Sequence, residues 1–233
     1  MKAKRKILAG CVLVALFLFI LVGVLTIDVQ TVGPEDAKIG FSTVNTAWRD
    51  HFPPNLKWYK ATNVAAMIQF ACGGVFALLG LLQLIRRKKL FKVDPDLLIL
   101  GVLYILLGVL YVIFDLLAVN FRPFILDPAE GLEPSFPSSH TLLAVTTMGT
   151  AILQWKRRLA PGTLRTCVIV FSLFIMGFMV VGRVLSGLHW LTDIVASVCL
   201  SAALMLFYDA GVRIAYRKRR LLRKRKLRQK KAA

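Results

Sequence analysis

Six apolar stretches separated by short polar segments dominate the chain. They run Ile7 to Ile27, Thr62 to Ile85, Leu97 to Val119, Ser138 to Trp155, Leu164 to Val184 and Trp190 to Tyr208. A helix needs about 20 apolar residues to cross the hydrocarbon core of a bilayer, and each stretch meets or approaches that length. The pattern predicts an all-α fold, a polytopic membrane protein with six transmembrane helices. The fourth stretch is the shortest, and the third carries one acid, Asp115, near its end. Between the first two stretches, Val44, Trp48 and Phe52 recur every four residues after Gly33-Pro34, the spacing of a short helix lying in the membrane interface. Gly101 and Gly108, seven apart in the third stretch, predict a helix face on which a neighbour packs closely.

Composition agrees with a non-aqueous solvent: 57% of residues are hydrophobic, against roughly 45–50% in a soluble domain. Net charge is +19, which in a soluble protein would point to nucleic acid. Here the basic residues sit in short runs between apolar stretches, which suits a membrane and argues against a nucleic-acid partner. Lys and Arg gather on the cytoplasmic side of membrane proteins. With a cytoplasmic N-terminus and alternating sides, only Lys38, Arg49, Lys57, Lys60, Arg122 and Arg183 fall outside, and the other 25 of 31 fall inside. Both termini are therefore expected in the cytoplasm. The first stretch follows Lys2, Lys4, Arg5 and Lys6 as a signal peptide would, but it is long and lacks a small-x-small cleavage site, so a retained anchor is expected. The chain divides into a membrane domain, 1–216, and a basic cytoplasmic tail, 217–233, which is suited to anionic lipid of the inner leaflet.

Cys11, Cys72, Cys167 and Cys199 all fall in apolar stretches with no metal-ligand spacing, and read as small buried hydrophobes. His51 reads as a surface residue. The unexplained polar groups collect on the outer side. Arg122-Pro123 and Pro137-Ser138-Ser139-His140 flank one outer loop, and Arg183, His189 and Asp193 flank another. Ionisable groups at such a depth are costly and mark function. Two guanidinium forks match phosphoryl oxygens. Ser138 and Ser139 open a helix whose free N–H groups favour an anion. His189 and Asp193, four apart, share a helix face, so the acid can fix the ring tautomer and leave the other nitrogen free to attack. His140, from another helix, is placed to move a proton.

These spacings resemble the type 2 phosphatidic acid phosphatase superfamily, which includes lipid phosphate phosphatases, polyprenyl diphosphate phosphatases and vanadium haloperoxidases. The family pattern is Lys-x6-Arg-Pro, then Pro-Ser-Gly-His, then Ser-Arg-x5-His-x3-Asp. Arg122-Pro123 resembles the end of the first part. Pro137 to His140 resembles the second, with Ser139 in place of Gly. Arg183-x5-His189-x3-Asp193 matches the third, with Gly182 in place of Ser. The resemblance implies a phosphohistidine on His189 oriented by Asp193, and His140 as acid and then base. It implies phosphate held by Arg122, Arg183, Ser138 and the Ser139 amide, with no metal and no cofactor. Asp115 stands where the family has Lys; a pair with Arg122 or Arg183, positioning that arginine, is expected.

The expected function is hydrolysis of a lipid phosphate or diphosphate at the outer face of a plasma membrane, the favoured substrates being a polyprenyl diphosphate or a phosphatidyl phosphate, and size and compactness suggest a bacterial membrane. A lipid-to-lipid phosphotransferase differs only in the acceptor. A non-catalytic lipid-phosphate-binding protein and a transporter are the readings from other classes; charges at helix ends and the lack of a half-repeat argue against a transporter.

Overall fold

The computed structural model describes residues 3–232; Lys2 of the N-terminal basic run and Ala233 at the end of the basic segment lie outside the described residues. The helices are α1 (Ala3–Thr26), α2 (Ser42–His51), α3 (Leu56–Arg87), α4 (Pro95–Leu117), α5 (Ser139–Arg158), α6 (Thr163–Leu185) and α7 (Leu191–Ala232). A two-stranded antiparallel hairpin, β1 (Gln30–Thr31) and β2 (Lys38–Ile39), lies between α1 and α2.

Among the described residues, α1, α3, α4, α6 and α7 are the five helices long and apolar enough to cross a membrane. The fourth apolar stretch of the sequence is a helix, α5, but falls short by composition. Its polar residues face protein rather than lipid: Thr146, Thr150 and Gln154 are fully buried. Thr150 Oγ1 donates to the Thr146 carbonyl at 2.8 Å, and Gln154 Nε2 donates to the Tyr208 hydroxyl at 2.5 Å. α5 packs against α3, α6 and α7, so it needs no lipid-facing surface.

Two boundaries differ from the hydropathy pattern for physical reasons. α3 begins six residues before the apolar stretch, because the Asn55 side chain accepts from the N–H groups of Lys57 and Trp58 at 3.1 and 3.4 Å and caps the helix there. α7 runs 42 residues without a break through the basic segment, a length of about 63 Å. The glycines of α4 also differ from expectation. A Cβ at Gly101 or Gly108 would meet nothing within 4 Å, and both lie on the exposed face. The packed face of α4 is that of Leu100, Leu103 and Leu107.

The helix expected from Val44, Trp48 and Phe52 is α2. It docks through its polar side: buried Asn45 donates from Nδ2 to the Gly40 carbonyl at 2.8 Å and to Thr192 Oγ1, at the start of α7, at 3.0 Å. Of its apolar residues Val44 is exposed, and the half-buried Trp48 ring packs against Phe52. His51 is exposed.

The far end of the bundle is tied by two buried acids. Asp209 of α7 accepts from Lys6 of α1, Arg157 of α5 and Arg213 of its own helix. Asp96 of α4 accepts from Arg158 Nη2 at 2.8 Å and from the Tyr216 hydroxyl at 2.7 Å. Removing one member of a buried ion pair typically costs about 3–5 kcal/mol, and here the partly exposed cations can regain water, so the lower end applies. Asp209→Ala should therefore lose about 3 kcal/mol, read as a lower thermal midpoint of the full chain in detergent. An unchanged midpoint would show that the cluster does not hold the helices.

Candidate active site

His189 sits on the short turn between α6 and α7, and the local sequence fixes that turn on three sides. Gly187 has φ +67, and a Cβ there would lie 2.4 Å from the Phe52 carbonyl oxygen and 2.5 Å from that of Pro53. Only glycine fits such a backbone approach at a left-handed φ. The Asn55 N–H donates to the Ser186 carbonyl at 2.8 Å, joining the segment before α3 to the same turn. Trp190 is fully buried against Ala37 and Ile39, and its Nε1 donates to the Phe121 carbonyl at 2.6 Å. The turn thus holds together three loops that are distant in sequence.

Within this frame His189 Nδ1 lies 3.6 Å from Asp193 Oδ2, and that oxygen accepts from the Trp190 N–H at 3.1 Å. The side chains of Ser135 and Asn120 also face the Asp193 carboxylate, and the Ser135 carbonyl faces the His189 ring. Burial, with Arg122 and Arg183 nearby, holds the imidazole well below its ordinary range and so in the neutral form. A neutral ring with its Nδ1 toward a carboxylate leaves Nε2 as the free nitrogen.

Two arginines stand beside the histidines. Arg122 Nη2 pairs with Glu133 at 3.0 Å, and its Nε and Nη1 have no protein acceptor. Arg183 is fully buried; its Nη2 donates to Asn63 Oδ1 at 2.5 Å, while Nε and Nη1 again lack an acceptor. Both guanidinium groups lie over the Tyr59 ring, with Arg122 Cζ 5.7 Å and Arg183 Cζ 5.1 Å from its centroid. Such contacts contribute about 0.5–2 kcal/mol each and offset the repulsion of the paired cations. Tyr59, Asn63 and Glu133 carry no motif and were not singled out in the sequence. The one available signal was spacing: Tyr59 and Asn63 are four apart at the polar start of α3.

A cavity of about 260 Å³ gathers Arg122, Ser139, His140 and His189. Leu110, Tyr111 and Phe114 of α4 form its apolar wall. The structure therefore brings both histidines to one space. Two expectations need correction. Ser138 is fully buried and its hydroxyl donates to Thr141 Oγ1 at 3.0 Å, so that hydroxyl serves the start of α5; neither Ser138 nor Arg183 lines the cavity itself. Asp115 lines the cavity, but neither arginine is its partner: Glu133 takes Arg122 and Asn63 takes Arg183. Gly182, where Ser is usual, also has a local cause. A Cβ there would lie 2.4 Å from Thr62 Cγ2 of α3.

The helices and the cavity at one end of them define a multi-pass membrane protein. The PAP2 superfamily model matches residues 96–216, just over half of the chain, and the chain belongs to that superfamily. In fold it is similar to the first transmembrane PAP2 type phosphatidylglycerolphosphate phosphatase from Bacillus subtilis, with a TM-score of 0.56 and 17% identity over 86% of this chain and 93% of that one. No curated protein matches it in sequence. Tyr59 and Asn63 lie outside the matched residues, so α3 supplies the arginines with partners from beyond the family region.

Gly187→Ala should push the 52–55 segment off the His189 turn. Deuterium exchange at the Asn55 amide is expected to quicken, whereas Gly177→Ala, where a Cβ meets nothing, should leave it unchanged. Equal exchange in the two variants would show that the close approach is not what fixes the turn.

Proposed function

We propose that this protein is a membrane phosphatase that removes phosphate from a lipid phosphate or lipid diphosphate through a phosphohistidine on His189. The observation that carries this reading is that His189, backed by Asp193, opens onto the same cavity as His140 and Arg122, beside an apolar wall. A phosphoryl group in that cavity meets Arg122, whose Nε and Nη1 have no acceptor among the described residues, and the wall suits an acyl or prenyl chain.

His189 Nε2 attacks phosphorus and a P–N bond forms as the bond to the leaving oxygen breaks. Asp193 stabilises the positive charge that develops on the ring. His140 gives its proton to the leaving oxygen, then takes one from a water that attacks phosphorus as the P–N bond breaks, releasing inorganic phosphate and restoring His189. Arg122, Arg183 and the Ser139 amide hold the equatorial oxygens, where charge develops. Imidazoles and guanidiniums supply each role, so this chemistry calls for no metal.

The basic runs support an orientation with the cavity outside. Lys6, Arg157, Arg158, Arg213 and Arg219 meet at the other end of the bundle, the end expected in the cytoplasm. In this reading α5 is a sixth crossing shielded from lipid by its neighbours, the setting is a bacterial plasma membrane, and the basic end of α7 rests near anionic inner-leaflet lipid.

Purified full-length protein should release inorganic phosphate from members of a panel of phosphatidyl and polyprenyl phosphates and diphosphates, and vanadate should inhibit it. Activity should survive EDTA and fall at least about a thousandfold in His189→Ala, a loss typical of an essential nucleophile. Full activity in that variant, or loss on chelation, would contradict the mechanism.

A further inference from the structure

The cavity holds acids as well as cations. Glu133 is engaged by Arg122 at 3.0 Å. Asp115, one turn beyond Tyr111 on α4, opens onto the same cavity, is exposed, and forms no salt bridge among the described residues. On the cavity wall Arg122 is therefore already engaged by Glu133, and Asp115 adds a second carboxylate before any substrate enters. A phosphate dianion in the cavity then meets a carboxylate that no cation engages among the described residues, and the two repel. A cationic group on the substrate, placed between its own phosphate and Asp115, turns that repulsion into attraction.

We propose, building on the phosphatase reading above, that Asp115 is a specificity-determining residue that selects lipid phosphates carrying an ammonium group close to the phosphate. A long-chain 2-amino-alkyl phosphate has this chemistry: phosphate toward Arg122 and His189, ammonium toward Asp115, and chain along Leu110, Tyr111 and Phe114. Asp115 acts on the choice of substrate and touches none of the bonds that change.

The global field of the protein works against this preference, which makes the test sharp. With a net charge of +19, long-range attraction favours the more anionic of two substrates. The experiment compares a long-chain 2-amino-alkyl phosphate with its N-acetyl derivative, in neutral detergent micelles, using the full-length protein. N-acetylation keeps the phosphate and the chain and removes only the cation. The wild type should favour the amine by about tenfold in kcat/KM, the scale of one hydrogen bond to a charged group. Asp115→Asn keeps an acceptor for hydroxyl donors but not the charge, and should bring the ratio near one; Asp115→Lys should invert it. A wild type that favours the N-acetyl substrate, or a ratio unchanged in Asp115→Asn, overturns the proposal. Failure of the wild type to hydrolyse any lipid phosphate, phosphatidate included, would remove the phosphatase reading itself and this proposal with it.

Discussion

The structure depends on the seam between the starts of α5 and α7. Ser197 Oγ lies 3.0 Å from the Ser138 carbonyl and 2.7 Å from the Asp193 carbonyl, and the Ser138 N–H donates to that same Asp193 carbonyl at 3.2 Å. One turn further, Ser201 Oγ donates to the Leu142 carbonyl at 3.1 Å. Hydroxyls of this kind let two helix backbones meet with their polar groups satisfied in an apolar surrounding. Gly149 keeps the two helices close, since a Cβ there would lie 2.2 Å from Met205 Cε of α7. Because the seam fixes residue 138 against residue 193, His140 and His189 are delivered to one cavity by backbone contacts rather than by flexible side chains.

Holding two guanidinium groups and two imidazoles together is costly, and the surroundings show how the cost is limited. Tyr59 presents its π face to both arginines, Glu133 and Asn63 each take one donor, and desolvation keeps His189 uncharged. The donors left over on Arg122 and Arg183 are those a phosphoryl group would use. At the other end of the bundle the opposite solution applies, with Asp209 engaged by Lys6, Arg157 and Arg213, and Asp96 by Arg158.

Much of this was legible in the sequence because period and hydropathy encode it. The helices and the amphipathic turn around Trp48 follow from apolar spacing, and the Arg183, His189, Asp193 spacing carries the family likeness. What the pattern could not reveal was which surface each helix turns toward protein. α5 reads as a lipid-facing crossing but is an inner helix whose Thr150 and Gln154 find partners inside the protein; Gly101 and Gly108 read as a packing face but are exposed. The Asp115 pairing failed for a related reason. Spacing placed the acid near the arginines but could not show that Glu133, brought across by the Arg122 backbone contact, would reach Arg122 first. Tyr59 and Asn63 were hidden because hydropathy marks the apolar part of α3, whereas Asn55 decides where the helix begins.

The proposed covalent role of His189 is tested most directly by rapid quenching of His140→Ala with a ³²P-labelled aryl phosphate. An aryl leaving group departs without an acid, but breakdown of the intermediate still needs the base, so label should accumulate on the protein. The expected product is a base-stable, acid-labile phosphohistidine at position 189, absent from the His189→Ala, His140→Ala double variant. Steady release of the aryl group with no protein-bound label, or with label on a carboxylate, would contradict it.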